Sequence, residues 1–199
     1  MENFGTTCPS DPAKESPAAA VAMCFTACAQ KDGKKHTEAS GILIAYFSAT
    51  GTTAKAARTL SEITGGKLYE ITPQKAYSSA DLNWHDTQSR SSLEMNNADA
   101  RPALKDTMPD ISKYDTIFIG YPIWWDQAPR IINTFIESLS LKGKTLVPFA
   151  TSGGSGIENS VRMLQKTYPG LEWKNGKLLN RTGRKGMEEW INGIRPAER

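Results

Sequence analysis

The chain has 199 residues, 39% of them hydrophobic and 23% charged, with a net charge of +3. That is enough apolar material for one domain with its own core, and the balance excludes a wholly disordered chain. Basic and acidic residues are interspersed with no Lys/Arg run of five, so no nucleic-acid partner is expected, and no apolar run approaches the length of a membrane span.

Residues 1–40 read as a leader and linker outside the fold. All three cysteines, Cys8, Cys24 and Cys28, fall here, so neither a disulfide framework nor a metal site is expected in the domain. Ala18 to Ala29 is small and apolar, and Gln30 to Ser40 is polar. Phe25-Thr26-Ala27-Cys28 resembles the end of a bacterial lipoprotein signal. That resemblance implies a lipid anchor at Cys28 and an extracytoplasmic protein, with this anchor as the sole membrane contact. Glu2, Asp11 and Glu15 against Lys14 depart from the positive start of such a signal, and Phe25 is unusual at its position. The other reading is a disordered tail on a cytoplasmic protein.

From Gly41 the pattern becomes regular. Ile42 to Phe47 is an unbroken apolar run, which suits a strand buried on both faces. Ser48-Ala49-Thr50-Gly51-Thr52-Thr53 then breaks it, and a helix over about 52–64 follows, ended by Gly65-Gly66. Further strands are expected at 67–71, 116–121 and 145–150, and helices at about 129–139, 157–167 and 183–194. Leu171 to Leu179 reads as a short strand pair about Asn175-Gly176. Alternating strands and helices predict an α/β domain over 41–199: a doubly wound, five-stranded parallel sheet in the order 2-1-3-4-5, with helices on both faces. Pro148 lies inside an internal strand of that order, where it has no N–H to donate, so a bulge or a local end of pairing is expected there. Residues 73–114 are too long for a simple crossover and read as a lid-like insertion with one or two short helices.

In such sheets ligands sit outside the carboxyl ends of the strands. Three loops there carry chemistry. Ser48, Thr50, Gly51, Thr52 and Thr53 open a helix N-terminus, whose free N–H groups and dipole suit an anion. No Lys or Arg lies within the loop, so neutral donors would hold that anion. A plain helix-capping turn would use the same residue types. After the third strand, Pro122, Ile123, Trp124 and Trp125 place two large aromatics at a strand end, where they would cover something flat. The alternative is that both indoles pack beneath the insertion. After the fourth strand, Ser152, Gly153 and Gly154 offer backbone donors at close approach. His85, beside Trp84, is a surface histidine or a proton donor over the ligand. No nucleophile–base set or catalytic residue is apparent.

The motifs Tyr-Phe-Ser-x-Thr-Gly-x-Thr from Tyr46, Tyr-Asp-Thr-Ile-Phe-Ile-Gly-Tyr-Pro-Ile-Trp-Trp to Trp125, and Pro-Phe-Ala-Thr-Ser-Gly-Gly-Ser-Gly to Gly156 together resemble the flavodoxin-like family of small bacterial FMN proteins. The resemblance covers about 41–194. It implies FMN, its phosphate in the Ser48–Thr53 loop and its ring against residues 122–125 and 152–154. It also implies an electron-transfer protein with a protein redox partner. An FMN-dependent NAD(P)H:quinone-type oxidoreductase with a small electron acceptor is the alternative. Asp126, where many relatives carry a small residue, would place a carboxylate near the ring.

Overall fold

The computed structural model describes residues 41–194 except Asp106; the leader and Cys28 lie outside the described residues. The sheet is parallel throughout, in the order β2 (Lys67–Glu70), β1 (Ile42–Tyr46), β3 (Thr116–Pro122), β4 (Thr145–Thr151), β5 (Glu172–Trp173). A sixth strand, β6 (Lys177–Leu178), also pairs with β4.

Alternation along the strands gives the sheet two apolar faces. On one, Leu43, Ala45, Ile117, Ile119, Leu146 and Ala150 cluster with Ile131, Ile132 and Phe135 of α3 (Arg130–Glu137) and Val161 and Leu164 of α4 (Glu158–Thr167). On the other, Ile44, Phe118, Val147 and Phe149 cluster with Ala57 and Leu60 of α1 (Thr52–Thr64) and Met187 and Ile191 of α5 (Arg184–Ile194). Each large apolar side chain so buried contributes about 1.5–3 kcal/mol. Gly120 is fixed by this packing: a Cβ there would lie 2.1 Å from Cζ of Phe149, its neighbour in the ladder.

The edge beyond β4 corrects the expected strand pair about Asn175-Gly176. β5 and β6 do not pair with each other; both run parallel to β4, in register Leu146↔Trp173 and Phe149↔Lys177. Residues 174–176 therefore stand opposite Val147 and Pro148, one residue more on the edge side. Pro148 explains the break. The carbonyls of Leu146 and Ala150 accept from Lys174 and Leu179, so alternation points the nitrogen of Pro148 toward this edge. Its missing donor thus faces the gap between β5 and β6, while pairing with β3 runs through Ile119 without interruption.

Between β2 and β3 the chain leaves the sheet and returns through an antiparallel bridge, Pro73 with Leu104. Gln74 N–H donates to Ala103 and Lys105 N–H to Thr72 at this neck. Among its described residues the excursion holds one helix, α2 (Arg90–Asn96), capped by the Ser89 hydroxyl, which accepts from Ser92 N–H.

Candidate functional site

The loops after β1, β3 and β4 meet at the carboxyl end of the sheet and line one cavity of about 430 Å³. Ala49 and Thr50 come from the first loop, Pro122 to Trp125 from the second, and Gly153 from the third. Leu82, Trp84 and Ser91 of the insertion complete the lining, and none of the residues that line it is ionisable.

The first loop is organised by its own hydroxyls. Ser48 Oγ accepts from the N–H groups of Gly51 and Ala54, at 3.1 and 3.2 Å, and so caps α1 from outside it. Gly51 takes the left-handed conformation, φ 87°, that this turn needs and an L side chain resists. The helical ladder begins only with Lys55 N–H to the Gly51 carbonyl. The N–H groups of Thr50, Thr52 and Thr53 therefore have no acceptor among the described residues. Thr50, Gly51 and Thr52 are exposed. Thr53 is not: its hydroxyl is buried against that of Thr151, at 2.8 Å, and ties the start of α1 to the end of β4. The expected set of four hydroxyls divides accordingly. Ser48 and Thr53 shape the loop, and Thr50 faces the cavity. Thr52 borders a second groove, between α1 and α5.

The second loop separates the two tryptophans. Trp124 and Gln127 exchange both backbone hydrogen bonds, at 3.0 and 2.9 Å, around a two-residue turn. Trp125 and Asp126 within it have φ of 46° and 62°. Such turns favour Asn-Gly, so a tryptophan here stores strain that the surroundings must hold. Asn159 of α4 does so by donating from Nδ2 to the Asp126 carbonyl at 3.0 Å. Trp124 is half-buried, edge-on to Phe47 and Tyr77 with ring centroids 5.6 and 5.3 Å away. It packs beneath the insertion while also lining the cavity, whereas Trp125 is exposed. Asp126 does not line the cavity.

Of the third loop, Gly153 reaches the cavity. Ser152 is gripped from outside by Asn180, whose Oδ1 accepts from Ser152 N–H and whose Nδ2 donates to the Ser152 carbonyl. Ser152 Oγ in turn accepts from Gly154 N–H. Sequence reasoning missed Asn159 and Asn180, which carry no local motif, and did not place Leu82 or Ser91 of the insertion at the site.

The insertion forms the roof and is held by side chains. Tyr77 donates to Glu94, Arg90 lies 4.0 Å over the Tyr77 ring, and Arg90 Nε pairs with Glu94 at 2.7 Å. Burial and the Glu94 carboxylate push the Tyr77 hydroxyl well above its ordinary pKa, so it remains a donor. From α3, Arg130 donates to the carbonyls of Met95 and Asn97 at the end of α2. Arg101 makes a two-pronged pair with Glu137 at 2.7 and 2.8 Å. His85 lies against Trp84 at the exposed rim. Among the described residues no group of three or more His, Cys, Asp or Glu could hold a metal ion, and no helix is long and apolar enough to cross a membrane.

The family model described as flavodoxin matches residues 41–194. A Bacteroides eggerthii DSM 20697 protein assigned as a flavoprotein is 62% identical, with a TM-score of 0.76, covering 78% of this chain and 98% of its own. One from Bacteroides uniformis ATCC 8492 is 55% identical, with a TM-score of 0.75, covering 76% of this chain and 97% of its own. A Lactobacillus acidophilus NCFM flavoprotein solved in complex with FMN shares the fold at 23% identity and a TM-score of 0.59, covering 70% of this chain and 93% of its own. No curated protein matches the sequence.

Proposed function

The chain belongs to the flavodoxin family, and on that premise we propose that it binds FMN non-covalently at the three sheet-end loops and acts as a redox flavoprotein for small acceptors. The observation that carries this reading is that loops from three separate strands line one uncharged, largely apolar cavity beside a set of free backbone donors. The residues fit the group. The N–H groups of Thr50, Thr52 and Thr53 and the exposed hydroxyl of Thr50 offer neutral donors to a phosphate at the positive end of α1. Pro122, Ile123, Trp124, Trp125 and Gly153 supply apolar walls and backbone edges for a flat ring. Ser48, Gly51, Thr53, Ser152 and Gly154 hold the shape of the loops.

Bound FMN supplies one- and two-electron transfer, and the protein sets access to it. The motifs alone favour a flavodoxin-type carrier that meets a partner protein. The roof favours the reductase reading, because Leu82, Trp84 and Ser91 stand over a cavity that a carrier would leave open. The test is to reduce the FMN-loaded protein chemically without oxygen and mix it with a small quinone or with ferricytochrome c, following the visible flavin band. Faster reoxidation by the quinone at equal concentration is expected. Faster reoxidation by the cytochrome would return the protein to the carrier class.

A further inference from the structure

The mouth of the cavity exposes an unusual amount of aromatic surface. Trp84 is 66% exposed and Trp125 42%, and both line the same cavity although one comes from the roof and the other from the loop after β3. Large apolar groups left in water around one concavity mark contact with something else, and indole faces favour a flat partner.

Trp84 is also held in place. The His85 ring lies against it, with centroids 3.5 Å apart. His85 N–H donates to Asn83 Oδ1 at 3.2 Å, and Asp86 N–H to the Asn83 carbonyl at 3.1 Å. The Ser92 hydroxyl then ties the Asp86 carbonyl to α2 at 2.7 Å. An aromatic surface ordered in advance loses little freedom when a ligand stacks on it.

The second observation is the chemistry of the lining. A charged guest would shed hydration there and find no counter-charge among the residues that line the cavity. The roof offers one polar side chain instead, that of Ser91, which is 2% exposed. Its partner among the described residues is Ser89 Oγ, at a long 3.4 Å. Ser89 Oγ gives its own proton to Ser92 Oγ at 2.9 Å, so Ser91 is the donor in the 3.4 Å contact, and a ring carbonyl at the cavity wall would take that proton over from a long bond.

We propose that the cavity mouth is a subsite for a neutral, planar electron acceptor with a ring carbonyl, of the quinone class, stacked on Trp84 and hydrogen-bonded by Ser91. The proposal rests on FMN occupying the three sheet-end loops. Trp84 and Ser91 then determine which acceptors enter, and anionic rings of the same shape are disfavoured.

The test uses the full chain loaded with oxidised FMN, with no reductant present, so that calorimetry reads binding alone. Hydroxymethylanthraquinone and anthraquinone sulfonate share one ring system and differ in charge. The neutral compound is expected to bind at least about tenfold more tightly, a difference of about 1.4 kcal/mol. Trp84→Ala should weaken the neutral compound by about tenfold, Trp84→Phe by no more than about threefold, and Ser91→Ala by about threefold or more. FMN affinity, titrated separately, should stay within about twofold in all three variants, because the sheet-end loops are untouched. Equal affinity for the two compounds, or unchanged quinone affinity in Trp84→Ala, would overturn the proposal. So would a loss of FMN affinity in Trp84→Ala equal to the loss of quinone affinity, which would place Trp84 on the cofactor. Failure of the unaltered chain to take up FMN would remove the functional reading itself, and the subsite with it.

Discussion

The sheet-end loops and the roof face the same cavity but are held by different means. The loops continue the main-chain ladder of the strands: Phe47 N–H donates to Gly120 and Ile123 N–H to Thr151. Their positions follow from strand register, and they move only if the sheet moves. The roof is fastened to α3 by two arginines, Arg101 to Glu137 and Arg130 to the end of α2, and packs its Tyr77 ring on Phe47 and Trp124. Such contacts can open locally at a cost well below global unfolding. On the reading proposed above, the cofactor seat belongs to the first part and the acceptor subsite to the second.

The comparison can be broken from the sheet side first. Gly120→Ala drives a methyl into the Phe149 ring, and the loss of stability should reach or exceed the upper end of about 1–3 kcal/mol for an overpacked core. Urea unfolding reads it, and FMN affinity should fall in parallel because the loop after β3 shifts. Thr53→Val comes next. It leaves the buried Thr151 hydroxyl without its partner and should cost about 1–3 kcal/mol, while replacing both threonines with valine should recover part of that.

From the roof side the effects should be local and smaller. Arg130→Met removes two charged-donor bonds to the carbonyls of Met95 and Asn97. Amide exchange in α2 should quicken by about tenfold or more, since each such bond contributes about 1.5–3 kcal/mol locally, with little change in the urea midpoint. An equal loss of global stability would show that the roof and sheet form one cooperative unit. The smallest effect concerns Glu137. Its hydrogen bonds from Arg101, with that of Tyr168 added, hold its pKa below the ordinary value of 4.5. Tyr168, pushed up to about 12 mainly by burial and then by Glu137, stays a donor throughout. A carboxylate with a lowered folded pKa stabilises the fold fully above its ordinary value and loses that contribution as pH falls through the folded one. Glu137→Gln should therefore flatten the acid limb of the stability profile. The change should be below about 1 kcal/mol, because the Glu137 side chain is 41% exposed and solvent screens the pair.

The same division decides what the sequence made legible. The doubly wound order followed from apolar runs and their alternation with helices. The bounds of α1 followed from Gly51 and Gly65, which sit at its two ends in the left-handed conformation. The loop after β1 was readable as a helix start with donors to spare, because hydroxyls and glycine act locally. Asn175-Gly176 misled because the pair is also a hairpin signal. Here Gly176 lies against α4, where a Cβ would come within 2.9 Å of Ile157 Cδ1 and 3.0 Å of Val161 Cγ2. The adjacent tryptophans read alike in sequence, yet the turn between Trp124 and Gln127 sends one inward and leaves the other exposed. Asn159 and Asn180 were invisible because each reaches a loop about 30 residues away in sequence, at 33 and 28 positions.

The central claim, an FMN seat built from neutral donors, is tested most directly by titrating the flavin-free protein with FMN and following flavin fluorescence. The account predicts saturable quenching at one FMN per chain. It also predicts that Thr50→Glu, which sets a carboxylate in the loop that would hold the phosphate, weakens binding by about tenfold or more with unchanged stability. No quenching by the unaltered chain, or FMN binding that Thr50→Glu leaves intact, would contradict it.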